Sequence, residues 1–295
     1  MSTRQEAQAG DPAAHGRFGW VLNLPIVRRL GRVIAVYGNA GGSLLAEGLA
    51  YSALFAGLTG LLLAVGLLGY VVPSEADRQR IVDAFTGELS PFASIAGDGL
   101  RKVSLNAGAF SIAGLAGLAW GASHFYGSLD QAFSLVFNRT KARGFIAQLL
   151  RGFVSLFLLA GGLASGIAIS AVGAAVRSQL NAGQGLIEAF DLVVFPLMTA
   201  AVIVFAVAVV YRVVPNTRVP IAVLRVPAVV AGIAITVLGE LLVYLTPLLT
   251  GSLSWFGGVA AVFVVLAWLH LAFQVLLIGA AWTRIRLEDL EGSIV

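Results

Sequence analysis

Polar side chains recur every four residues within a strongly apolar stretch, 226–249, in the last third of the chain. Glu240 is the only charged residue of this stretch, and Thr236 and Tyr244 lie four residues to either side of it. Residues at this spacing are neighbours on the surface of a helix. An ionisable group inside an apolar span is costly in hydrocarbon, so it requires a buried partner or a water-filled cavity. The pattern therefore predicts a polar site within a membrane.

The next apolar stretch, 256–282, carries a second polar pair, His270 and Gln274, again four residues apart. The two stretches are separated by a short loop, which predicts antiparallel neighbouring helices. If each is centred in the bilayer, Glu240 and His270 differ in depth by roughly 5 Å, a gap that their side chains can bridge. In one hypothesis these groups and Tyr244 line a cavity that carries a proton or holds a headgroup. In the other they form a buried hydrogen-bonded pair that only fixes helix packing.

Two further candidates stand near the start of the first long apolar stretch, where Glu47 precedes Tyr51 by one helical turn. Glu47 is expected to extend towards the membrane surface. The Tyr51 hydroxyl is close enough along a helix to share a hydrogen bond with it. Both residues are therefore included in the predicted polar site.

The sequence offers no motif for catalysis or for metal binding. It has no cysteine, and its only histidines are His15, His124 and His270, which fall in the tail, at a membrane edge and in mid-span. This separation argues against a histidine-based metal site. Walker, G-x-S-x-G and H-E-x-x-H motifs do not occur. We therefore expect neither enzymatic activity nor a metal or other cofactor.

The composition is that of an integral membrane protein. Hydrophobic residues make up 58% of the 295 residues and charged residues 12%, whereas soluble domains are about half apolar and a quarter charged. The net charge of +4 comes from 19 Lys and Arg residues, scattered between apolar stretches, against 15 acids. Scattered basic residues determine orientation in a membrane and do not favour nucleic-acid binding.

These patterns predict an all-α fold, a polytopic membrane protein with a bundle of six transmembrane helices and amphipathic interfacial helices. A disordered tail, 1–22, precedes an amphipathic juxtamembrane helix, 23–43, which begins at Pro25 and either lies on an anionic membrane face or is a solvated linker. The membrane domain covers 44–290, with an amphipathic segment, 73–102, outside. The spans are expected at about 44–72, 103–123, 145–176, 189–210, 226–249 and 256–282.

Small and basic residues complete the predicted arrangement. The basic, amphipathic residues that follow Ser123 are expected to form a linker at the inner face of the membrane. Of the 19 Lys and Arg residues, 14 fall on the side of the tail, so both termini are expected in the cytoplasm. Small residues at four-residue spacing allow close helix packing or dimerisation. They are Gly48, Ser52, Ala56 and Gly60 in the first span and Gly117 and Gly121 in the second.

Four blocks, in this order, resemble the YihY family, also called virulence factor BrkB and once labelled ribonuclease BN. They are Glu47–Phe55, Trp120–Phe137, Tyr211–Pro220 and Leu266–Ala280, within a resemblance that extends from about Leu30 to Leu290. The chain departs from the family pattern at three positions. They are Thr59 in place of a proline, Ser134 in place of an asparagine and Ala281 in place of an acid. The resemblance implies a six-helix bacterial inner-membrane protein tied to envelope integrity and to lipid or lipid-linked transport.

We therefore expect a protein of envelope maintenance that transports or flips a lipid or other amphipathic molecule through a polar intramembrane cavity. The alternative is a non-transporting scaffold or assembly partner in envelope biogenesis, in which the polar cluster is structural. Expected partners are membrane lipids, with a second copy of the chain or envelope-biogenesis proteins as further candidates. A ribonuclease role is disfavoured, because the sequence has neither an acidic metal cluster nor a basic soluble domain.

Overall fold

All secondary structure in the described part of the chain is α-helical. The computed structural model describes residues 25–71, 107–138, 195–215, 217, 219–252 and 257–292. The helices are α1 (Pro25–Asn39), α2 (Gly42–Val71), α3 (Ala107–Val136), α4 (Phe195–Val213), α5 (Ile221–Ser252) and α6 (Gly257–Glu291). The predicted all-α class is confirmed. The tail 1–22, the outer segment 73–102 and the third span 145–176 lie outside the described residues.

Three of these helices contain segments long and apolar enough to cross a membrane. The segments are Pro196–Val213 in α4, Ile221–Leu242 in α5 and Val262–Glu291 in α6. They correspond to the fourth, fifth and sixth predicted spans, although 189–194 of the fourth lies outside the described residues. The predicted bundle of six spans is therefore supported for these three helices.

Helix α6 is the centre of the described packing, because it contacts each of the other five described helices. Among the helix pairs that do not include α6, α2 with α3 and α4 with α5 have the most extensive contacts. Small residues make the central position possible. Ala280 and Ala281 are completely buried, and Gly279 leaves room for a neighbouring side chain.

Helix α3 continues well beyond the predicted end of its span at Ser123. The residues expected to form an inner-face linker are helical as far as Val136, so they continue the helix of the span instead of forming a separate element. The reason is that Phe125, Leu129 and Phe133 recur at helical spacing, and all three are buried. The amphipathic pattern after Ser123 is thus the buried face of the same helix.

Helices α5 and α6 are also longer than predicted. Helix α5 begins at Ile221, directly after Pro220, whose carbonyl accepts hydrogen bonds from the amides of Val223 at 3.0 Å and Leu224 at 3.3 Å. Helix α6 continues beyond the predicted end of its span at residue 282 to Glu291. The turns added at the start of α5, 221–225, are apolar except for Arg225, whereas those added to α6, 283–291, carry all the charged residues of that helix.

A tight corner joins α1 to α2. Helix α1 begins at Pro25, as the sequence predicts, and ends at Asn39. Gly41 then adopts a φ of 69°, which a residue with a side chain rarely tolerates, and its carbonyl accepts from the amide of Leu45. Val33 is buried, and α1 packs mainly on α6.

The end of the structure at which α1 lies is here named the α1 end. Helices α2 and α5 begin at this end, and helices α3, α4 and α6 end there.

Glycines bring α3 close to α2, as their spacing predicts. A Cβ atom on Gly121 would lie 3.2 Å from the Cα of Ala56, and one on Gly117 would lie 3.2 Å from the Cγ2 of Thr59. Ser52 and Ala56 are buried. Gly48 takes no part in this contact, because a Cβ there would meet nothing within 4 Å.

Candidate functional site

The polar stripe on α5 passes from the protein interior to its exterior. Thr236 is buried, and its hydroxyl donates to the carbonyl of Gly232 at 2.9 Å. A Cβ on Gly232 would lie 2.7 Å from the Cα of Val204, so this part of the stripe faces α4. Glu240 is exposed, and Tyr244 is 79% exposed. Four residues advance a helix by about 400°, so each step of the stripe turns some 40° further from α4.

Ideal helix geometry places Glu240 and His270 at about the same level along α5 and α6, on sides that face apart. A Cβ on Gly279 would lie 3.1 Å from the Cβ of Ala231, which fixes the level at which α5 meets α6. Glu240 is nine residues after Ala231 and His270 is nine before Gly279. Because the helices are antiparallel, nine residues place Glu240 and His270 each about 14 Å from the contact in the same direction. Nine residues also make two and a half helical turns, so each side chain points away from the contact.

The predicted pair is consequently not formed. Both residues are described, and no hydrogen bond or ion pair joins Glu240 to His270. The depth offset of roughly 5 Å that was expected from centring the spans is replaced by equal depth. The two side chains are separated because each lies half a turn around its helix from the shared contact.

His270 is instead paired within its own helix. The Nε2 of Gln274 lies 2.9 Å from the Nε2 of His270, which brings together the predicted residues of α6. If the amide donates, as its placement in the structure indicates, the imidazole proton is on Nδ1. That nitrogen is buried and has no hydrogen-bond partner within the described residues, and the same holds for the indole nitrogen of Trp268. Residues 268 and 270 are separated by about 200° of helix rotation, so these donors do not converge.

Glu47 and Tyr51 are both exposed, and no hydrogen bond joins these two described residues. The charge of Glu47 acts on α1 instead. Burial raises the pKa of Tyr37 and the nearby Glu47 carboxylate raises it further. The ring of Tyr37 lies against Gly42, the first residue of α2, and its hydroxyl is buried without a hydrogen-bond partner in the described part of the chain.

The contact between α2 and α3 holds a polar cluster that sequence reasoning missed. The hydroxyl of Ser52 donates to the carbonyl of Gly48 at 2.8 Å. Its oxygen therefore accepts from the Nδ1 of His124 and from the hydroxyl of Ser128, both at 3.3 Å. Finding this cluster from the sequence requires knowing which residues of α2 lie opposite which residues of α3. The one signal for this is Gly121, a small residue of α3 that contacts α2.

An exposed aromatic group adjoins that cluster. The Trp120 ring lies edge-to-face on Phe55, with centroids 5.2 Å apart, and 5.8 Å from the ring of His124. Trp120 is 62% exposed and Tyr51 is 64% exposed, although both are large side chains. The outer edge of the α2–α3 contact thus presents aromatic faces beside an imidazole.

Tyr211 anchors α4 to α6. Its hydroxyl donates to the carbonyl of Leu276 at 2.7 Å, in a fully buried position. The missing side chain of Gly279 makes room for the phenol, and the ring of Phe133 lies 6.2 Å away. The segment Tyr211–Pro220 therefore begins with a structural contact between three helices.

Arg284 holds the α1 end together. Its Nη1 donates to the carbonyl of Val136 at 2.8 Å, and its Nε donates to Glu288 at 2.7 Å. A cation at the last carbonyls of a helix is favourable, because those groups carry partial negative charge and lack helical partners. Within the described ranges, no three His, Asp or Glu side chains come close enough to hold a metal ion.

Comparison with protein families agrees with the sequence blocks. Residues 33–292, almost nine-tenths of the chain, match the family described as virulence factor BrkB. The matched range includes all four blocks that resemble this family. Comparisons with curated proteins and with solved structures find no significant match. The chain therefore belongs to the virulence factor BrkB family of membrane proteins.

Proposed function

We propose that the protein moves a lipid or other amphipathic envelope molecule across the bacterial inner membrane, with Glu240 as the polar group that the headgroup meets midway. The observation that carries the proposal is the position of Glu240. It is exposed on α5, and in the predicted span 226–249 it lies nine residues, about 14 Å, before the end. With that span centred in a hydrocarbon core about 30 Å thick, Glu240 is well inside the core.

The surroundings of Glu240 make its exposure costly without a partner. The neighbouring exposed side chains Val237 and Leu241 are apolar, so the carboxylate stands alone on a surface that suits acyl chains. A headgroup with an ammonium or hydroxyl group can satisfy it while the acyl chains stay in lipid. Tyr244, which is exposed about 6 Å further along the helix, then provides the next polar contact.

The sequence limits the sources of energy. None of the 295 residues forms an ATP-binding motif. The movement therefore follows the gradient of the substrate itself, an ion gradient or work done by a partner protein. We further propose that both termini are cytoplasmic. The chain has no cysteine, so Ser2→Cys and Ser293→Cys each give a single thiol whose labelling by an impermeant reagent tests this.

Lipid movement in proteoliposomes tests the main proposal. Vesicles with fluorescent phospholipid in both leaflets receive dithionite from outside, with and without a proton gradient. Wild type is expected to make the inner-leaflet lipid reducible, and Glu240→Gln to slow this at least 10-fold, because the amide lacks the charge. Val237→Ala, a change one turn away on the same exposed surface, is the matched control and should retain wild-type rates.

The alternative function is a scaffold in envelope biogenesis. The close glycine contacts at Gly121 and Gly232 favour it, because they suit rigid helix pairs. If wild type moves no envelope lipid under either condition, transport is excluded and the scaffold is the better account. If movement is equal in wild type and Glu240→Gln, the protein is a transporter but Glu240 has no part in it.

A further inference from the structure

We propose that the outer edge of the α2–α3 contact binds the headgroup of phosphatidylethanolamine. This edge, here named the α2–α3 groove, comprises Tyr51 and Phe55 of α2 and Trp120 and His124 of α3, with Glu47 one turn nearer to the α1 end. The assignment names a substrate class for the proposed lipid movement and in that respect rests on it. Binding itself is measurable without any movement.

The aromatic residues of the groove present a fixed and exposed ring on which a cation can bind. The Trp120 ring is fixed by its edge-to-face contact with Phe55, with an angle of 84° between the planes, yet remains 62% exposed. An ammonium group over an exposed indole face is attracted by the ring quadrupole. Trp and Tyr are also the side chains that favour the headgroup level of a bilayer.

The charges of the two helices favour a headgroup that carries an ammonium group. Over Gly42–Val71 and Ala107–Val136 the only charged residues are the acids Glu47 and Asp130, with no Lys or Arg in either helix. A headgroup with only negative charge finds no basic partner from these helices. A headgroup that carries an ammonium finds the carboxylate of Glu47 one helical turn from the exposed ring of Tyr51.

His124 favours a primary ammonium over a quaternary one. Because Ser52 gives its own proton to Gly48, the Nδ1 of His124 must donate to Ser52. The Nε2 of the neutral ring is then an acceptor, and no other described residue bonds to this exposed side chain. An ethanolamine ammonium has N–H groups to donate to it, whereas a choline headgroup has none.

The depth of the groove suits a headgroup. Helix α3 has 30 residues and is about 45 Å long, which exceeds the hydrocarbon thickness of about 30 Å, so part of it stands outside the hydrocarbon. Apart from Ser111, its polar residues begin at Ser123 and His124 and continue towards the α1 end. His124 therefore lies where the apolar part of the helix gives way to polar side chains.

Lipid titration of the full-length protein tests the proposal. Native mass spectrometry of the detergent-solubilised chain compares phosphatidylethanolamine, phosphatidylcholine and phosphatidylglycerol with identical acyl chains. Wild type is expected to bind phosphatidylethanolamine the most tightly. Trp120→Leu and Glu47→Gln are each expected to weaken it about 5-fold or more, the effect of one cation–π or ion-pair contact, while Trp120→Phe keeps part of the affinity. Phe205→Leu removes a 68% exposed aromatic from α4 and is the matched control.

Two results overturn the assignment. One is equal affinity for the three lipids, and the other is a Trp120→Leu variant that binds like Phe205→Leu while retaining the wild-type unfolding midpoint. The outcome is separable from that of the proposed function. Selective binding without movement in proteoliposomes leaves the site in place and excludes transport, whereas movement that continues without selective binding excludes the site alone.

Discussion

The hydroxyl of Tyr211 donates a 2.7 Å hydrogen bond to the main-chain carbonyl of Leu276, which ties the last turn of α4 to the middle of α6. The phenol is fully buried and passes over Gly279, so the bond depends on a glycine three residues beyond its acceptor. Since this hydroxyl is engaged and shielded, Tyr211 contributes to stability and not to contact with a substrate. Two substitutions separate the bond from the space that permits it.

Replacing Tyr211 by phenylalanine removes the bond alone. We expect Tyr211→Phe to lower the free energy of unfolding by about 1–2 kcal/mol, because a buried hydrogen bond is lost without a change in packing. Tyr244→Phe is the control, since Tyr244 is 79% exposed and its hydroxyl makes no hydrogen bond with a described residue. Thermal unfolding in detergent, followed by circular dichroism, should show a lower midpoint for the first variant only.

Filling the space at Gly279 should cost more. A Cβ atom there would collide with the Tyr211 hydroxyl, so Gly279→Ala must displace the phenol or separate the helices, at a cost of about 1–3 kcal/mol. Gly239→Ala is the matched control, because a Cβ at Gly239 meets nothing within 4 Å and alanine favours a helix. In the same measurement, the unfolding midpoint of Gly279→Ala should be lower than that of wild type. The midpoint of Gly239→Ala should equal or exceed that of wild type. Equal midpoints for the two variants would contradict the packing described for Tyr211.

Residue spacing predicted the helices and their contacts well where the residues on one face of a helix determine which surface packs. The all-α class, the start of α1 at Pro25 and the close approach at Gly117 and Gly121 follow from residue spacing. The end of α3 did not follow, because the buried face after Ser123 looks like an interfacial linker until its partners are known. Amphipathicity alone does not distinguish a membrane surface from the surface of a neighbouring helix.

The candidate site required information that spacing does not contain. A stripe of four-residue steps drifts by about 40° at each step, so Thr236 ends at a helix contact and Tyr244 at the exterior. The depth of Glu240 relative to His270 depends on where α5 meets α6, which centring the spans only approximates. The cluster of Ser52 with His124 joins residues 72 positions apart. Only the packing of α2 on α3 brings them together.

Two arginines at the α1 end should differ in their contribution. Arg284 donates to the carbonyl of Val136 from a mostly buried position, whereas the Arg32–Asp289 pair, 3.2 Å apart, is about half exposed on both sides. We expect Arg284→Ala to lower the free energy of unfolding by about 1–3 kcal/mol, since it leaves the end of α3 without its cationic partner. Arg32→Ala should cost less than about 1 kcal/mol.

Salt dependence checks this difference. The effect of Arg32→Ala should disappear when unfolding is measured in 1 M salt, where the screening length is about 3 Å. The effect of Arg284→Ala should persist, because that bond is shielded from solvent and its acceptor is a main-chain carbonyl. If both variants responded to salt in the same way, Arg284 would be acting as a surface charge and not as a cap of α3.

Tyr37 should make the stability of the corner between α1 and α2 depend on alkaline pH. Burial, and secondarily the charge of Glu47, raise the pKa of this phenol above its ordinary value of 10.0. The folded state then holds the phenol proton more tightly than the unfolded state does. Its contribution to stability is therefore complete below about pH 10 and is lost as pH rises through the higher folded pKa.

The variant Tyr37→Phe isolates this contribution. Near pH 7 it should be as stable as wild type or more so, because the buried hydroxyl that it removes has no partner among the described residues. Above pH 10 its advantage should grow, since phenylalanine cannot ionise. Unfolding midpoints measured from pH 7 to 11 test both points. Glu47→Gln should keep most of the wild-type pH dependence, because burial is the larger cause of the raised pKa; a complete loss of that dependence would make the Glu47 charge dominant instead.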